Sequence, residues 1–157
     1  MSAQADSPVA VSALSPWGTA AQRANQRRDK RAAVLKVAAQ LFRQHGFAGT
    51  SLDQIAALLG ISKPTLYYYV PCKASLVQAC ADVGGQHAFE AVQRALQSTD
   101  GPACGAALQA YARAVATDFG WCMVRADEYP QPAAARQSAR EQRQAIEAVL
   151  QPVLGAG

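Results

Sequence analysis

The sequence predicts an all-α fold in which a three-helix head is followed by a helical body. Alanine is abundant, whereas the β-branched residues that favour strands are few. Apolar residues recur at the i, i+3, i+4, i+7 spacing of amphipathic helices, and glycine, proline and small polar residues stand where such helices would begin and end. We assign residues 1–26 to a disordered N-terminal arm, residues 27–87 to the head and residues 88–157 to the body.

The first helix of the head is predicted over residues 27–45. Four apolar residues, beginning at Leu35 and ending at Phe42, form a single stripe with helical spacing. Gly46 follows and can take the left-handed conformation that ends a helix.

Two shorter helices are predicted next, over residues 52–59 and 63–70. Thr50 or Ser51 can cap the start of the first one. Gly60 can end it, so that only Gly60 and Ile61 separate it from Ser62, which can cap the next helix. Two short helices joined by so tight a turn must cross steeply, which predicts a helix-turn-helix unit.

Four further helices are predicted from Lys73 onward. A long one begins near Lys73 and reaches Gln97, with a kink or break expected at Gly84 and Gly85 because interior glycines cost roughly 1 kcal/mol each relative to alanine. A second follows the turn at residues 100–102 and ends near Phe119, before Gly120, with Leu108, Tyr111, Ala112 and Val115 as its inward stripe. The last two are expected around residues 121–126 and 133–153, separated by Pro130 and Pro132.

The positive charge of the chain is concentrated in one segment. Nine basic and two acidic residues lie between Arg23 and Lys73, which gives +7, whereas six arginines and eight acids after it give −2. Such a segment would attract a polyanion such as DNA. A solvated basic surface without a partner is the alternative interpretation.

Several function classes find no support in the sequence. The four cysteines never approach a Cys-x-x-Cys spacing and the two histidines have no ligand neighbours, so we expect free thiols and neither metal nor cofactor. No nucleophile, base and orienting group can be assembled, so we expect no enzyme. No signal peptide and no apolar run of roughly 20 residues is visible, so we expect a cytoplasmic protein without a membrane partner.

The third helix carries the most informative chemistry. Leu66 and Val70 are four residues apart and can anchor it to the other two helices. Three consecutive tyrosines spread over roughly 200° of the helix, so at least one must be displayed. The helix offers donors for phosphate, a threonine methyl and short polar groups, which suit entry into the major groove. These groups belong to Lys63, Pro64, Thr65, Tyr67, Tyr68 and Tyr69.

About fifty residues, 28–77, resemble the DNA-binding domain of the TetR/AcrR family of transcriptional regulators. The resemblance lies in four motifs taken together: Ala39-x-x-Phe42-x-x-x-Gly46, Thr50-Ser51-x-x-x-Ile55-Ala56-x-x-x-Gly60-Ile61-Ser62, Thr65-Leu66-Tyr67-x-Tyr69 and Lys73-x-x-Leu76. It implies a homodimer that binds double-stranded operator DNA, represses transcription and is released by a small-molecule effector. A helix-turn-helix DNA binder without an effector pocket and a protein-interaction module are the alternatives.

The resemblance also assigns roles to individual residues. It implies that Tyr67 reaches phosphate, and that Lys63, Thr65 and Tyr68 lie nearer the base edges. Tyr69 has the alternative of packing as a core aromatic, and Tyr68 that of an ordinary surface tyrosine. The DNA-binding residues expected in this way are Thr50, Ser51, Lys63, Pro64, Thr65, Tyr67, Tyr68, Tyr69 and Lys73.

The body is expected to hold a cavity for a small hydrophobic or aromatic effector. We expect this cavity to be lined by Tyr111, Phe119, Trp121 and Met123, with an ordinary apolar core as the alternative. The body is shorter than is usual in the family, so either the protein is a shortened one or the sequence is a fragment.

Overall fold

The computed structural model describes residues 18–98 and 103–155. It divides into two compact units, with the boundary after Ala32. Over the described residues the chain is all-α and has no strand, as predicted. The helices are α1 (Ala20–His45), α2 (Leu52–Leu59), α3 (Lys63–Tyr69), α4 (Lys73–Gln97), α5 (Ala103–Val115), α6 (Asp118–Arg125), a single 3-10 turn (Ala126–Glu128) and α7 (Ala133–Leu154).

Helix α1 begins at Ala20, so the predicted disordered arm of residues 1–26 is wrong over its last part. Thr19 and Gln22 form a reciprocal cap at this end. The Gln22 N–H donates to the Thr19 hydroxyl at 3.1 Å, and the Thr19 N–H donates to the Gln22 side-chain oxygen at 2.6 Å. The earlier part of the predicted arm, residues 1–17, lies outside the described residues.

Helices α2 and α3 lie almost where the sequence predicts them. Ser51 caps α2 in a capping box with Gln54, and Gly60 ends it at a φ of +63°, in the left-handed region that favours glycine. The Ile61 N–H donates to the Ala56 carbonyl at 3.0 Å, which closes the turn. Ser62 then caps α3, whose last helical residue is Tyr69. The turn is therefore fixed by local hydrogen bonds.

A cluster of buried side chains, which we call the head core, holds α1 to α4 together. Phe42, Ile55, Leu66 and Leu76 are fully buried in it, one from each helix. Cys122 of α6 completes it from the body. The apolar stripes of the first three helices thus meet in one core, as their spacing predicts.

Helix α4 is continuous through Gly84 and Gly85, so the predicted break there is wrong. A Cβ at Gly84 would overlap the carbonyl oxygen of Phe119, and one at Gly85 would overlap the side-chain oxygen of Gln142. These glycines permit close packing of α6 and α7 on α4, and their cost in helix propensity is offset by those contacts. The predicted boundary between residues 87 and 88 falls inside this helix and separates no compact units.

The predicted end and inner face of α5 also need correction. Helix α5 ends at Val115, and Thr117 caps α6 by accepting the Gly120 N–H at 3.0 Å, so Gly120 lies inside α6. The buried residues of α5 are alanines, whereas Leu108 is 44% exposed and Ala112 is exposed. Small residues face α4 because the two helices pack closely. The buried ones are Ala107, Ala110 and Ala114.

Helix α7 starts after Pro132, which confirms the predicted break between the last two helices. It packs against α4 and α5. A second, smaller cluster, which we call the body core, joins these three helices through Ala88, Ala114 and Ile146. Among the described helices none is long and apolar enough to cross a membrane.

Candidate nucleic-acid interface

The third helix is fixed from below by two buried apolar residues. Leu66 is fully buried and Val70, its C-cap, is 1% exposed, both within the head core. Because α3 has only seven residues, this burial rather than helix propensity determines how its other side chains are directed.

Five residues of α3 form an exposed surface on the side away from Leu66. Tyr67 is 44% exposed and Tyr68 is 61% exposed, which is unusual for aromatic side chains. The remaining three, Lys63, Pro64 and Thr65, are also exposed. The surface therefore combines a cation, hydroxyl groups and two aromatic rings, a set that can reach phosphates and base edges.

Tyr69 differs from its two neighbours because it is half-buried against the head core. Its ring meets that of Tyr68 edge to face, with the centroids 5.1 Å apart. Tyr69 therefore supports the position of the Tyr68 ring, and its packing agrees with the core alternative for this residue.

Lys63 is joined to α2 by an ion pair with Asp53, in which the Nζ lies 2.8 Å from Oδ1. The hydrogen bond to this carboxylate raises the pKa of Lys63 above its usual value. Both side chains are largely exposed, so the pair contributes little to stability. Sequence reasoning missed Asp53, although its place in the first turn of a predicted helix was a signal of its exposure.

Thr50 and Ser51 have structural roles at the start of α2. The Thr50 hydroxyl is buried and donates to the Gly46 carbonyl at 2.9 Å, with the Leu41 carbonyl at 3.2 Å. The expectation that the Thr50 side chain contacts DNA is therefore corrected, because it is enclosed and already paired. Ser51 is exposed, and its hydroxyl accepts the Gln54 N–H at 3.1 Å.

Lys73 begins α4 and is half-buried against an aromatic residue of the body. Its Nζ lies 5.3 Å from the centroid of the Tyr129 ring, and burial lowers the pKa of this lysine. At the adjacent cap, the backbone N–H of Ser75 donates to Cys72 and lowers the pKa of the thiol. The structure thus links Lys73 to the body, a contact with Tyr129 that the sequence did not indicate.

Two further contacts connect the head to α6. The Phe47 and Trp121 rings pack with their centroids 5.2 Å apart. Arg43 donates to Asp118 at 3.1 Å and to the Ala116 carbonyl at 2.8 Å. The end of α1 and the start of α6 are therefore joined by both apolar and polar contacts.

A cavity of about 300 Å³ lies between α4, α5, α6 and α7 in the body. Of the four residues expected to line an effector cavity, Tyr111 and Met123 do so. Phe119 and Trp121 do not, because both pack against the head core. The other lining residues are Ala81, Val124, Ala139, Gln142, Arg143, Ile146, Glu147 and Leu150, so the wall is mostly apolar with polar groups along α7.

The family described as "Bacterial regulatory proteins, tetR family" matches residues 34–80, which span the whole helix-turn-helix unit and the start of α4. These residues therefore carry the helix-turn-helix domain of the TetR family. Among the curated relatives, the HTH-type transcriptional regulator RutR of Escherichia coli (strain K12) is 51% identical over 47 residues, which are 30% of this chain and 22% of RutR. EthR of Mycolicibacterium smegmatis is 39% identical over 54 residues, 34% of this chain and 25% of EthR. The chain thus matches less than a third of the length of these relatives.

Solved structures extend the likeness beyond the head. The TetR-family regulator PfmR from Thermus thermophilus has a TM-score of 0.68 and 25% identity, covering 77% of this chain and 68% of PfmR. AibR has a TM-score of 0.64 and covers 80% of this chain and 70% of its own, a likeness of fold at 23% identity. Both curated relatives are named as transcriptional regulators.

Proposed function

We propose that this TetR-family protein represses transcription as a cytoplasmic homodimer that binds double-stranded operator DNA through α3. The observation that carries the proposal is the exposed surface of α3, in which Lys63, Tyr67 and Tyr68 stand over the fully buried Leu66. A helix anchored in this way can enter the major groove without losing its packing.

The exposed residues divide by the part of DNA that each can reach. We assign Tyr67 and Lys73 to phosphate and Lys63, Thr65 and Tyr68 to base edges. Ser51 and Pro64 support the backbone at the first turns of α2 and α3. Tyr69 holds this surface from beneath, since it packs against the head core, whereas Thr50 fixes the turn before α2.

Selection of bound duplexes from a random library would test this function, followed by fluorescence anisotropy on the selected and on random duplexes. We expect enrichment of a palindrome with half-sites about 34–36 Å or a multiple of that apart. Lys63→Ala should weaken binding to the selected duplex by roughly tenfold or more and affect random DNA much less. A chain that enriches no sequence, yet is folded and dimeric by sedimentation, would contradict the proposal.

We also propose that the body cavity binds a small apolar or aromatic effector that releases the protein from DNA. Support comes from the apolar wall around Tyr111 and Met123 and from the contacts of α6, which lines the cavity and also meets Phe47 and Arg43 of the head. A ligand that displaces α6 would change those contacts.

Thermal-shift screening with small aromatic compounds tests the effector proposal. A ligand at 100 times its dissociation constant should stabilise the fold by roughly 2.7 kcal/mol. Met123→Trp, which fills the cavity, should abolish the shift, whereas Leu108→Trp on the exposed face of α5 should leave it unchanged. Ligands that shift melting but never reduce DNA affinity would favour a DNA binder without effector control.

A further inference from the structure

The first 13 residues of α1 form a basic helical segment, residues 20–32, in which every side chain is exposed. Its cations are Arg23, Arg27, Arg28, Lys30 and Arg31, and its only acid is Asp29. Its net charge of +4 equals that of the entire chain. The basic segment lies outside residues 34–80, the part that matches the TetR family.

The charges of this segment do not favour a helix by themselves. Arg23, Arg27 and Arg31 follow one another at a spacing of four residues, which places like charges on one helical face. The segment continues the packed half of α1, but none of its own side chains is buried. An anionic surface could therefore reach this row of exposed cations.

The composition of the segment decides which anionic surface fits. Apart from alanine it contains no apolar residue, so it has no face that could enter a lipid bilayer or the groove of another protein. What remains is a polyanion that is recognised by charge alone. Among such polyanions, double-stranded DNA agrees with the proposed function of α3, on which this step rests.

We propose that residues 20–32 bind DNA phosphates and supply a sequence-independent part of the affinity, separate from the readout by α3. Counterion release makes this role measurable. Each cation that neutralises a phosphate adds about 0.9 to the magnitude of the slope of log affinity against log salt concentration. The basic segment should therefore affect affinity and salt dependence, and leave the preference for one duplex over another unchanged.

The test compares two triple variants of the full chain by anisotropy between about 50 and 300 mM salt, a range over which phosphate contacts change affinity strongly. One is Arg28→Gln, Lys30→Gln, Arg31→Gln, which removes three exposed cations of the basic segment. Its matched control is Arg113→Gln, Arg136→Gln, Arg140→Gln, which removes three exposed cations of the body. Equal urea midpoints for both and for the parent establish that neither substitution set alters the fold.

We expect the segment variant to lower the magnitude of the salt slope by between about 1 and 2.7, and the control variant to leave it unchanged. The affinity of the segment variant for selected and random duplexes should fall by the same factor, whereas Lys63→Ala should weaken binding to the selected duplex much more than binding to random DNA. Equal slopes for the two triple variants, in a parent that still selects its operator, overturn this inference and leave the proposed function standing. A parent that binds no duplex overturns both this inference and the proposed function. Binding to vesicles with about 30% anionic lipid that depends on the segment, without a change in the DNA salt slope, assigns the segment to a membrane instead.

Discussion

The head core and the body core differ in what fills them. Large side chains from four helices interlock in the head core, where Phe42, Ile55, Leu66 and Leu76 have no exposed surface. The body core is built around two alanines and Ile146, and the cavity of about 300 Å³ adjoins it. Close packing favours one arrangement of a structure, whereas unfilled space leaves contacts unmade. The comparison indicates that the head holds one surface in place and that the body has room for a ligand.

The largest expected effect comes from truncating the head core. Phe42→Ala removes a fully buried ring whose centroid lies 5.1 Å from that of Phe47, and it should lower the free energy of unfolding by about 3–5 kcal/mol. Ile146→Ala borders the cavity and should cost about 2 kcal/mol, at the low end for such a change. Urea denaturation measures both. Equal losses would break the contrast between the two cores.

The next effect concerns the close approach of α6 to α4. Gly84→Ala should destabilise the fold by about 1–3 kcal/mol, because its Cβ would overlap the backbone of Phe119. Gly105→Ala in α5 is the matched control, since nothing lies within 4 Å of the added methyl group there. The control should be neutral or stabilising by up to about 1 kcal/mol. A rise in melting temperature for Gly84→Ala would refute the packing role of this glycine.

A smaller effect is expected at the turn before α2. Thr50→Val keeps the shape of the side chain but loses the hydroxyl, and it leaves the Gly46 carbonyl without that donor, so it should cost about 1–3 kcal/mol. Any loss of DNA affinity in Thr50→Val should come from unfolding of the variant. It should therefore vanish at low temperature, where the variant is fully folded. An affinity loss that persists in the folded variant would restore a direct DNA contact for Thr50.

The smallest effect on stability belongs to the ion pair between α2 and α3. Asp53→Asn should leave the urea midpoint unchanged, because both partners are largely exposed. It should raise DNA affinity for two reasons. Lys63 no longer has to leave a carboxylate before it contacts DNA, and one negative charge that would repel the phosphates is removed. Reduced affinity for the selected duplex would instead show that Asp53 orients Lys63.

The head could be predicted almost completely from local sequence. The stripe ending at Phe42, the cap at Ser51 and the glycine at position 60 act within one or two helical turns, so they define helices wherever they occur. The body could be predicted less well. Gly84 reads as a helix breaker in isolation, and only the packing of α6 on α4 turns it into a contact that requires glycine.

The sequence by itself determined the all-α fold, the bounds of α2 and α3 and most of the exposed surface of α3. These follow from hydrogen bonds and apolar spacing that are local along the chain. Tertiary structure decided which side chains that surface excludes, as with the buried Thr50, and which it ties to other helices, as with Lys63 and Asp53. It also decided that Tyr111 and Met123 line the cavity while Trp121 packs on Phe47. The physical reason is that burial and pairing depend on residues distant in sequence, whose positions are set only when the helices pack.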